Sequence, residues 1–403
     1  MIADTTAIRI LVLDDEPFVL KLHMHMLAGL GFTSVTAHDN AADGLAWVDA
    51  AGGPADLILL DLRMPRMDGI EFVRKLVERC YAGSLVLISG EDERVLRMAN
   101  RLVQAHRIPM LGHIRKPVPL AALAQVMDRW KPASAAQPRN RKAYGGGELR
   151  DAIARDELVN HYQPKVNVAT GAVAGVEALV RWRHATDGLV LPDEFIPLAE
   201  DEGLIDALTR VALTRALADA AAWKQAGLQL RVAINISMDN LASVTFADFV
   251  AAAAADAGVA SQDIALEVTE SRLMLDARAP LEILTRLRLK RFHLSIDDFG
   301  TGHSSLSQLQ DIAFDELKID RSFVHGAWRD ATVRAMYYTS LGLGMHLGMQ
   351  VVAEGVEDRD DWDFVRDTGC ELAQGYFIAR PMPAAELAGW IAAWPEQAVR
   401  LRA

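Results

Sequence analysis

The hydrophobic and polar positions of the first 130 residues predict strands that alternate with helices. Short apolar runs such as IRILVL, DLILL and SLVLIS are separated by FVLKLHMHMLAGL and GIEFVRKLVER, in which apolar residues recur with helical spacing. This alternation is typical of a parallel sheet whose strands are joined by crossover helices. We therefore expect residues 1–130 to form one α/β domain.

Residues 148–403 repeat the pattern on a larger scale. About 250 residues of repeating βα units is the usual size of a (β/α)8 barrel. The intervening residues 131–147, KPASAAQPRNRKAYGGG, contain two prolines and three consecutive glycines, which is the composition of a flexible linker. The strand-like runs of the C-terminal part are expected to end at Glu177, Asn235, Glu267, Asp297, Lys318, Glu354 and Gln374.

Composition restricts the class of protein. The chain has 403 residues, 51% of them hydrophobic, which excludes wholesale disorder. Cys80 and Cys370 are far apart in sequence and form no metal-binding motif, so we expect a reducing, cytoplasmic setting. The longest uncharged stretch, residues 336–353, contains three glycines and predicts a buried helix followed by a strand, because a membrane span needs about 20 apolar residues.

The negative charge is concentrated in the C-terminal part. The formal net charge is -12 for the whole chain, -2 for residues 1–130, +4 for the linker and -14 for residues 148–403. Affinity for duplex nucleic acid comes largely from lysine and arginine on phosphates, and a transcription factor would need a basic helix-turn-helix output. We therefore expect no binding to duplex DNA and no membrane insertion.

Polar side chains follow the apolar runs of the N-terminal part. The carboxyl ends of strands in an open α/β sheet form its ligand-binding crevice, so these groups should converge. Carboxylates there would bind one Mg²⁺, and a carboxylate beside that ion can accept a phosphoryl group. A single aspartate at such a position is more often a turn former, so the prediction rests on the ordered set. The set consists of Asp14, Asp15, Asp61, Ser89 and Lys116.

This segment resembles a response-regulator receiver domain. The resemblance rests on DDE at Asp14, LLDLRMPRMDG around Asp61, LISG at Ser89 and KP at Lys116. It implies a flavodoxin-like fold with a doubly wound sheet of five parallel strands, phosphorylation of Asp61 by a histidine kinase, and Mg²⁺ on Asp14 and Asp15. Lys116 would neutralise the phosphoryl oxygens and the Ser89 hydroxyl would donate a hydrogen bond to one of them. His113 departs from the pattern, because receivers often carry tyrosine or phenylalanine there.

The polar groups of the C-terminal part should meet at one mouth of the predicted barrel. Five carboxylates there would repel one another unless cations were bound. The candidate ligands all offer oxygen, which favours Mg²⁺ or Mn²⁺, and their number favours two ions. Each acid alone would be a surface or turn residue, but these acids emerge directly from apolar runs. The candidate ligands are Glu177, Asn235, Glu267, Asp297, Asp298 and Glu354.

Two metal ions are suited to displacement at phosphorus, so phosphodiester hydrolysis is the leading reaction class. Lys318 would hold the attacking water, and Glu354 would accept its proton. Arg181 would bind a substrate phosphate through its guanidinium group.

The segment from about residue 148 to 390 resembles the EAL family of cyclic di-GMP phosphodiesterases. The name motif is Glu177-Ala178-Leu179, and the other motifs are QPKV, NIS, EVTES, DDFGTG, LKID, VVAEGVE and QGYFIARPMP. The resemblance implies a modified (β/α)8 barrel that opens cyclic di-GMP to the linear dinucleotide pGpG. By position, Lys318 matches the lysine that orients the water and Glu354 matches the general base. The positions that match metal ligands are Glu177, Asn235, Glu267, Asp297 and Asp298.

The resemblance assigns roles to further residues and places Arg181 in the substrate site as well. Glu270 matches a residue that anchors the DDFG loop, while His303 departs from the usual tyrosine of that loop. The groups that match the substrate site are Gln163, Arg181, Asp320 and Gln374.

The sequence is compatible with two functions of different class. The leading one is a phosphodiesterase regulated by phosphorylation, and the alternative is a cyclic di-GMP receptor that binds without cleaving and signals through the receiver. All metal-ligand and base positions are filled, which favours hydrolysis. The resemblance further implies a homodimer or a higher homo-oligomer, whereas the sequence assigns no direction to regulation.

Overall fold

The structure is a computed structural model, and it divides the chain into two compact units, residues 1–142 and 143–403. The residues described are 8–50, 55–79, 81, 83–91, 93–105, 108–130, 144–269, 278–300 and 312–402.

The N-terminal unit alternates strands and helices throughout its described residues. Its strands are β1 (Ile10–Leu13), β2 (Val35–His38), β3 (Leu57–Asp61), β4 (Ser84–Ser89) and β5 (Met110–Arg115). Its helices are α1 (Pro17–Gly29), α2 (Ala41–Asp49), α3 (Gly69–Glu78), α4 (Glu93–Ala105) and α5 (Leu120–Arg129).

The five strands form one parallel sheet in the order β2-β1-β3-β4-β5. The central strands β1 and β3 are buried along their whole length, because helices cover both faces of the sheet and leave no polar side. The apolar cluster on one face includes Phe72, and the cluster on the other face includes Leu27. The predicted doubly wound fold is confirmed.

The C-terminal unit contains the remaining elements. Its strands are β6 (Leu158–Asn167), β7 (Val173–His184), β8 (Gly188–Val190), β9 (Arg231–Ile236), β10 (Ile264–Thr269), β11 (His293–Phe299), β12 (Glu316–Ile319), β13 (Gln350–Ala353), β14 (Leu372–Ala373) and β15 (Met382–Pro383). Its helices are α6 (Gly146–Ala154), α7 (Pro192–Asp201), α8 (Ile205–Gln225), α9 (Met238–Ala242), α10 (Phe246–Ala257), α11 (Arg278–Leu289), α12 (Arg321–Val324), α13 (Ala331–His346), α14 (Arg359–Asp367) and α15 (Ala384–Arg402), with a 3-10 turn at Ser261–Asp263.

Eight strands close into a barrel in the order β6-β7-β9-β10-β11-β12-β13-β14, and β14 pairs again with β6. The strands from β7 to β14 run parallel to their neighbours in this ring, whereas β6 is antiparallel to both β7 and β14. The short strands β8 and β15 add to β7 and β6 outside the ring. The fold is therefore the predicted barrel, modified by one reversed strand.

The outer helices pack on the barrel through a continuous apolar core that includes Leu213, Phe246 and Trp362. The prediction of a helix and a strand within residues 336–353 is confirmed by α13 and β13. The expectation that this helix is buried is wrong in part, because Met336 and Met345 are exposed on its outer face. Among the described helices, none combines the length and apolar composition needed to cross a membrane.

Candidate active site

Strand register places the predicted acidic residues around one mouth of the barrel. Glu267 on β10 is the register partner of Asn235 on β9. Asp297 on β11 is the partner of Thr269, near the carboxyl end of β10. Glu354 directly follows β13, whose carboxyl end lies at the same mouth. Residues from different strands are therefore brought together, as a parallel barrel requires.

Glu177 occupies a different place in its strand from the one expected. The prediction that the strand ends at Glu177 is wrong, because β7 continues to His184. The later residues remain in the sheet through antiparallel pairing with β6 on one side and β8 on the other. Glu177 nevertheless lies in the acidic site and is buried.

Two groups of carboxylates share Asp297. One contains Glu177, Glu267 and Asp297, and the other contains Asp297, Asp298 and Glu354. Within each group, one oxygen per residue lies within 4.8 Å of the others. Oxygen donors at this spacing are the ligands that Mg²⁺ and Mn²⁺ prefer. The two groups have one carboxylate in common, and each offers three oxygen atoms to a cation.

The Lys318 ammonium group lies at the centre of these carboxylates. Its Nζ atom is 2.9 Å from Glu267 Oε2, 3.0 Å from Asp297 Oδ1, 2.8 Å from Glu354 Oε1 and 3.3 Å from Glu177 Oε2. Its side chain is only 1% exposed. One cation therefore faces four carboxyl groups, and their ionised forms together carry more negative charge than Lys318 alone can neutralise.

Both oxygens of Glu177 accept hydrogen bonds from amide side chains. Asn235 donates to Oε1 over 2.9 Å, and Gln374 donates to Oε2 over 2.6 Å. Gln374 also donates to Gln163, whose own amide donates to the carbonyl of Ala379. Because Asn235 uses its side-chain NH2 group in the hydrogen bond to Glu177, its side-chain carbonyl oxygen is available as a ligand. Gln163 and Gln374, expected in the substrate site, thus also orient a carboxylate.

Asp297 and Asp298 are adjacent in sequence, yet both belong to the acidic site. Successive residues of a regular strand point to opposite faces. The register between β11 and β12 shifts between Ile296 and Phe299, and Asp298 has a left-handed φ of 54°. Aspartate tolerates this conformation better than most residues do. The irregular backbone therefore allows both carboxylates to face the mouth.

Crowding of buried acids raises their proton affinity. Burial raises the pKa of Glu177 to about 7, and the charge of Glu267 acts in the same direction. Burial and the adjacent Asp297 raise the pKa of Asp298 to about 6. Burial also raises the pKa of Glu354 well above its usual range, although Lys318 opposes this effect. Protons therefore compete with metal ions for these oxygens near neutral pH.

Glu267 behaves differently because it has two cationic partners. Burial alone would raise its pKa, but Lys165 and Lys318 outweigh that effect and lower the pKa to about 2. Burial likewise disfavours the charged form of Lys318, yet the surrounding carboxylates raise its pKa well above the usual range. Glu267 and Lys318 are therefore charged at neutral pH.

Two adjoining cavities open from the acidic site. The first has a volume of about 680 Å³ and is lined by Glu177, Arg181, Asn235 and Asp297, among others. The second has a volume of about 230 Å³ and includes Asp320, Glu354, Gln163 and Gln374 in its lining. The four residues expected in the substrate site therefore border the space next to the acids. Asp320 also caps α12, where it accepts a hydrogen bond from the Ser322 amide over 2.9 Å.

Three polar residues below the acids were not predicted from the sequence. Lys165 Nζ lies 2.8 Å from Glu267 Oε1 and 2.8 Å from Glu316 Oε1, and the Ser295 hydroxyl donates to the same oxygen of Glu316 over 2.8 Å. The signal for the first of them is the lysine of QPKV, which follows Gln163 by two residues. Its period-two spacing from Gln163 places both side chains on one face of the strand.

The N-terminal unit brings its own candidate residues together at the carboxyl end of the sheet. One oxygen each of Asp14, Asp15 and Asp61 lies within 4.8 Å of the others. Lys116 Nζ lies 2.7 Å from Asp14 Oδ2 and 2.6 Å from Asp61 Oδ2. Burial raises the pKa of Asp61, although the hydrogen bond from Lys116 opposes it. Ser89 is fully buried, and its hydroxyl oxygen accepts a hydrogen bond from the Glu91 amide.

Of the three remaining positions named from the sequence, the structure describes His113 but not Glu270 or His303. His113 lies on β5 and pairs in register with Leu87. Glu270 and His303 lie outside the described residues, as do residues 131–143 of the expected linker.

Family models match both parts of the chain. Residues 147–381 match the model of the EAL domain, and residues 10–128 match the model of the response regulator receiver domain. The two matches follow the chain in the same order as the two compact units.

Curated relatives include two proteins of Pseudomonas aeruginosa. The cyclic di-GMP phosphodiesterase NbdA is 43% identical over 248 residues, which are 61% of this chain and 32% of NbdA. The cyclic di-GMP phosphodiesterase RocR is 29% identical over 382 residues, which are 93% of this chain and 96% of RocR. An uncharacterized signaling protein of Caulobacter vibrioides is 44% identical, and the match covers 61% of this chain and 30% of that protein. The chain thus spans about a third of NbdA and of the Caulobacter protein.

Two solved structures each match about 60% of the chain. The PaMucR phosphodiesterase in complex with c-di-GMP has 40% sequence identity and a TM-score of 0.58, covering 60% of this chain and 98% of that chain. The EAL domain of Mycobacterium smegmatis DcpA has 30% identity and a TM-score of 0.50, covering 59% of this chain and 97% of that chain.

Proposed function

The chain belongs to the EAL domain family, and we propose that its C-terminal domain hydrolyses cyclic di-GMP to linear pGpG. The observation that carries this proposal is the pair of carboxylate groups that share Asp297 and surround Lys318. The likeness to NbdA, RocR and the PaMucR complex supports the choice of substrate.

The residues of the barrel mouth fit two Mg²⁺ or Mn²⁺ ions. Their ligand atoms are oxygens that converge within 4.8 Å, and the Lys318 ammonium already occupies a position among them that suits a cation. The bound ions would stabilise charge on the phosphodiester oxygens and make a water molecule more acidic. The residues that would hold the ions are Glu177, Asn235, Glu267, Asp297 and Asp298.

The remaining residues of the site would bind the substrate and move a proton. Lys318 would orient the attacking water, because its ammonium group is fixed between several carboxylates. Glu354, 2.8 Å from Lys318, would accept the proton of that water. Arg181 lines the larger cavity, where its guanidinium group would bind a phosphate of cyclic di-GMP.

The receiver domain would control this activity. We propose that a sensor histidine kinase phosphorylates Asp61, with Mg²⁺ bound by Asp14 and Asp15. The cluster of three carboxylates and the adjacent Lys116 support this role, because Lys116 can neutralise a phosphoryl group placed on Asp61. The Ser89 hydroxyl would donate a hydrogen bond to that phosphoryl group.

The setting of the reaction is also a proposal. A nucleotide messenger and a kinase partner are consistent with activity in the cytoplasm, and the free, buried Cys370 is consistent with a reducing compartment. Family likeness supports a homodimer or a higher homo-oligomer.

The direct test is incubation of the purified full chain with cyclic di-GMP and either Mg²⁺ or Mn²⁺, followed by chromatography. We expect pGpG to accumulate, and we expect a chelator to stop its formation. Binding of cyclic di-GMP without linear product at several metal concentrations would reject hydrolysis and favour the receptor hypothesis.

A further inference from the structure

A second buried lysine lies beneath the candidate metal ligands. Lys165 on β6 is 4% exposed, and its Nζ atom lies 2.8 Å from Glu267 Oε1 and 2.8 Å from Glu316 Oε1. The other oxygen of Glu267, Oε2, contacts Lys318 over 2.9 Å. Each oxygen of Glu267 thus has its own lysine, one above it and one below.

The reversed strand explains how Lys165 reaches this place. On β6, Gln163 pairs in register with Glu177, and Lys165 pairs with Gly175. Gln163 and Lys165 are two residues apart, so both face the barrel interior. Gln163 therefore lies at the level of Glu177, while Lys165 lies one step further from the mouth.

Glu316 contacts Lys165 from the opposite side of the barrel, and Ser295 in turn contacts Glu316. Ser295 on β11 is the register partner of both Glu267 and Glu316. Its hydroxyl donates to Glu316 Oε1, the oxygen that also contacts Lys165. All four residues are buried, so their contacts are largely shielded from solvent.

We propose that Lys165, anchored by Glu316, is a positioning residue that fixes the orientation of the Glu267 carboxylate for metal binding. The inference rests on the proposed function. Glu316 alone would balance the charge of Lys165, so neutralising Lys165 does not require the contact with Glu267. That contact instead restricts rotation of Glu267, which would otherwise be held through Oε2 only. Groups that bond to metal ligands in this way set metal affinity.

The decisive variant removes the lysine and its anchor together. In Lys165→Met/Glu316→Leu, one positive and one negative buried charge are lost, so net charge is kept and no isolated buried ion remains. A purely structural ion pair can be replaced by apolar residues of similar volume without functional loss. A positioning pair cannot be replaced in this way, because the apolar residues leave Glu267 without its contact to Lys165.

The primary measurement is calorimetric titration of the full chain with Mn²⁺, without nucleotide. We expect the double variant to bind Mn²⁺ about 10 to 100-fold more weakly than wild type. At saturating Mn²⁺, we expect a lower kcat for cyclic di-GMP and a KM near the wild-type value. The control is Lys290→Met/Asp248→Leu, which removes an exposed pair whose atoms are 3.3 Å apart and should leave Mn²⁺ affinity unchanged.

Lys165→Arg is the second variant, for the case in which the double variant does not fold. It keeps the positive charge but replaces a compact ammonium with a wider planar group, so Mn²⁺ affinity should still fall. Wild-type Mn²⁺ affinity and kcat in every folded variant would overturn the proposal. If wild type binds Mn²⁺ but does not cleave cyclic di-GMP, the proposed hydrolysis is rejected, while the Mn²⁺ titrations still decide the role of Lys165.

Discussion

Lys318 Nζ lies 2.8 Å from Glu354 Oε1, although the two residues come from different strands of the barrel. Lys318 is on β12, and Glu354 directly follows β13. The group proposed to orient water and the group proposed to accept its proton are therefore in direct contact. Any water bound by Lys318 would lie within reach of Glu354, which is the geometry required for general-base catalysis.

We predict that Glu354→Gln strongly slows cleavage and retains binding. Glutamine has nearly the same shape but cannot accept the proton, so turnover should fall by about 10² to 10⁴-fold. Binding of cyclic di-GMP and Mn²⁺ should stay close to that of wild type, because other residues supply most of the ligands. Product formation by chromatography and binding by calorimetry measure the two effects separately.

Glu371→Gln is the matched control for Glu354→Gln. Glu371 is an exposed glutamate that precedes β14 at the opposite end of the barrel and accepts a hydrogen bond from Gln350 over 2.6 Å. The Glu371→Gln variant should turn over cyclic di-GMP at the wild-type rate. Normal turnover in Glu354→Gln would exclude Glu354 as the base.

The affinity for metal ions should rise with pH, and binding of the ions should release protons. The pKa of Glu177 is raised to about 7 and that of Asp298 to about 6, so both carboxyl groups are partly protonated at pH 6. Mn²⁺ must displace those protons, which costs about tenfold in affinity per proton for each pH unit below the pKa. Affinity should therefore increase from pH 5.5 and level off above about pH 8.

The proton release can be counted by calorimetry in buffers of different ionisation enthalpy. At pH 6, Asp298→Asn should release fewer protons than wild type, because one of the titrating groups is absent. An affinity that stays constant between pH 5.5 and 8, with no proton release, would contradict the raised pKa values.

Gln374→Leu should weaken metal binding through Glu177. The substitution keeps much of the volume but removes the donor that lies 2.6 Å from Glu177 Oε2. Mn²⁺ affinity should fall by about 10 to 100-fold, as expected when a partner of a metal ligand is lost. Stability should also fall by about 1–3 kcal/mol, because buried acceptors lose their donor. Gln350→Leu removes a half-buried amide at the other end of the barrel and should change neither quantity. Equal Mn²⁺ affinity in the two variants would contradict the role of Gln374.

Two substitutions at Asp298 separate its charge from its backbone conformation. Asparagine tolerates the left-handed φ of 54°, so Asp298→Asn should keep the melting temperature and lose metal affinity. A β-branched side chain is strained there by roughly 1–3 kcal/mol. Asp298→Val should therefore have both a lower melting temperature and a lower metal affinity than wild type. Thermal unfolding and Mn²⁺ titration test the pair. Similar stability in the two variants would show that the backbone at Asp298 relaxes.

Phosphorylation of Asp61 should change turnover. A phosphoryl group adds a charge of about -1.5 to -2 beside Lys116, which now bridges Asp61 and Asp14. The contacts of Lys116 must therefore change when Asp61 is modified. The comparison is turnover of wild type, of Asp61→Asn and of protein treated with a small phosphoryl donor. Equal turnover of all three would reject regulation through Asp61.

The placement of the acidic residues was largely predictable from the sequence. In a parallel barrel, polar residues that follow apolar runs reach the same mouth whatever their distance along the chain. Glu267, Asp297 and Glu354 follow this rule and lie together in the structure. Glu177 was misplaced within its strand, because the pairing of β7 with β8 continues the strand beyond the motif.

The contacts beneath the acids could not be predicted in the same way. Lys165 and Glu316 are 151 positions apart, and their pairing depends on the reversed direction of β6. A pattern of apolar and polar residues does not give strand direction. The hydrogen bond from Gln374 to Glu177 is likewise set by closure of the barrel between β14 and β6.

The ten-residue strand β6 pairs with β7 on one side and with β14 on the other. Its two inward polar residues, Gln163 and Lys165, reach different levels of the active site. Inserting one residue near the start of β6 would turn both away from the interior and bring Pro164 inward, because side chains alternate between the two faces. We therefore expect insertions and deletions among relatives to accumulate in the turns that flank β6, while the strand keeps a constant length during evolution.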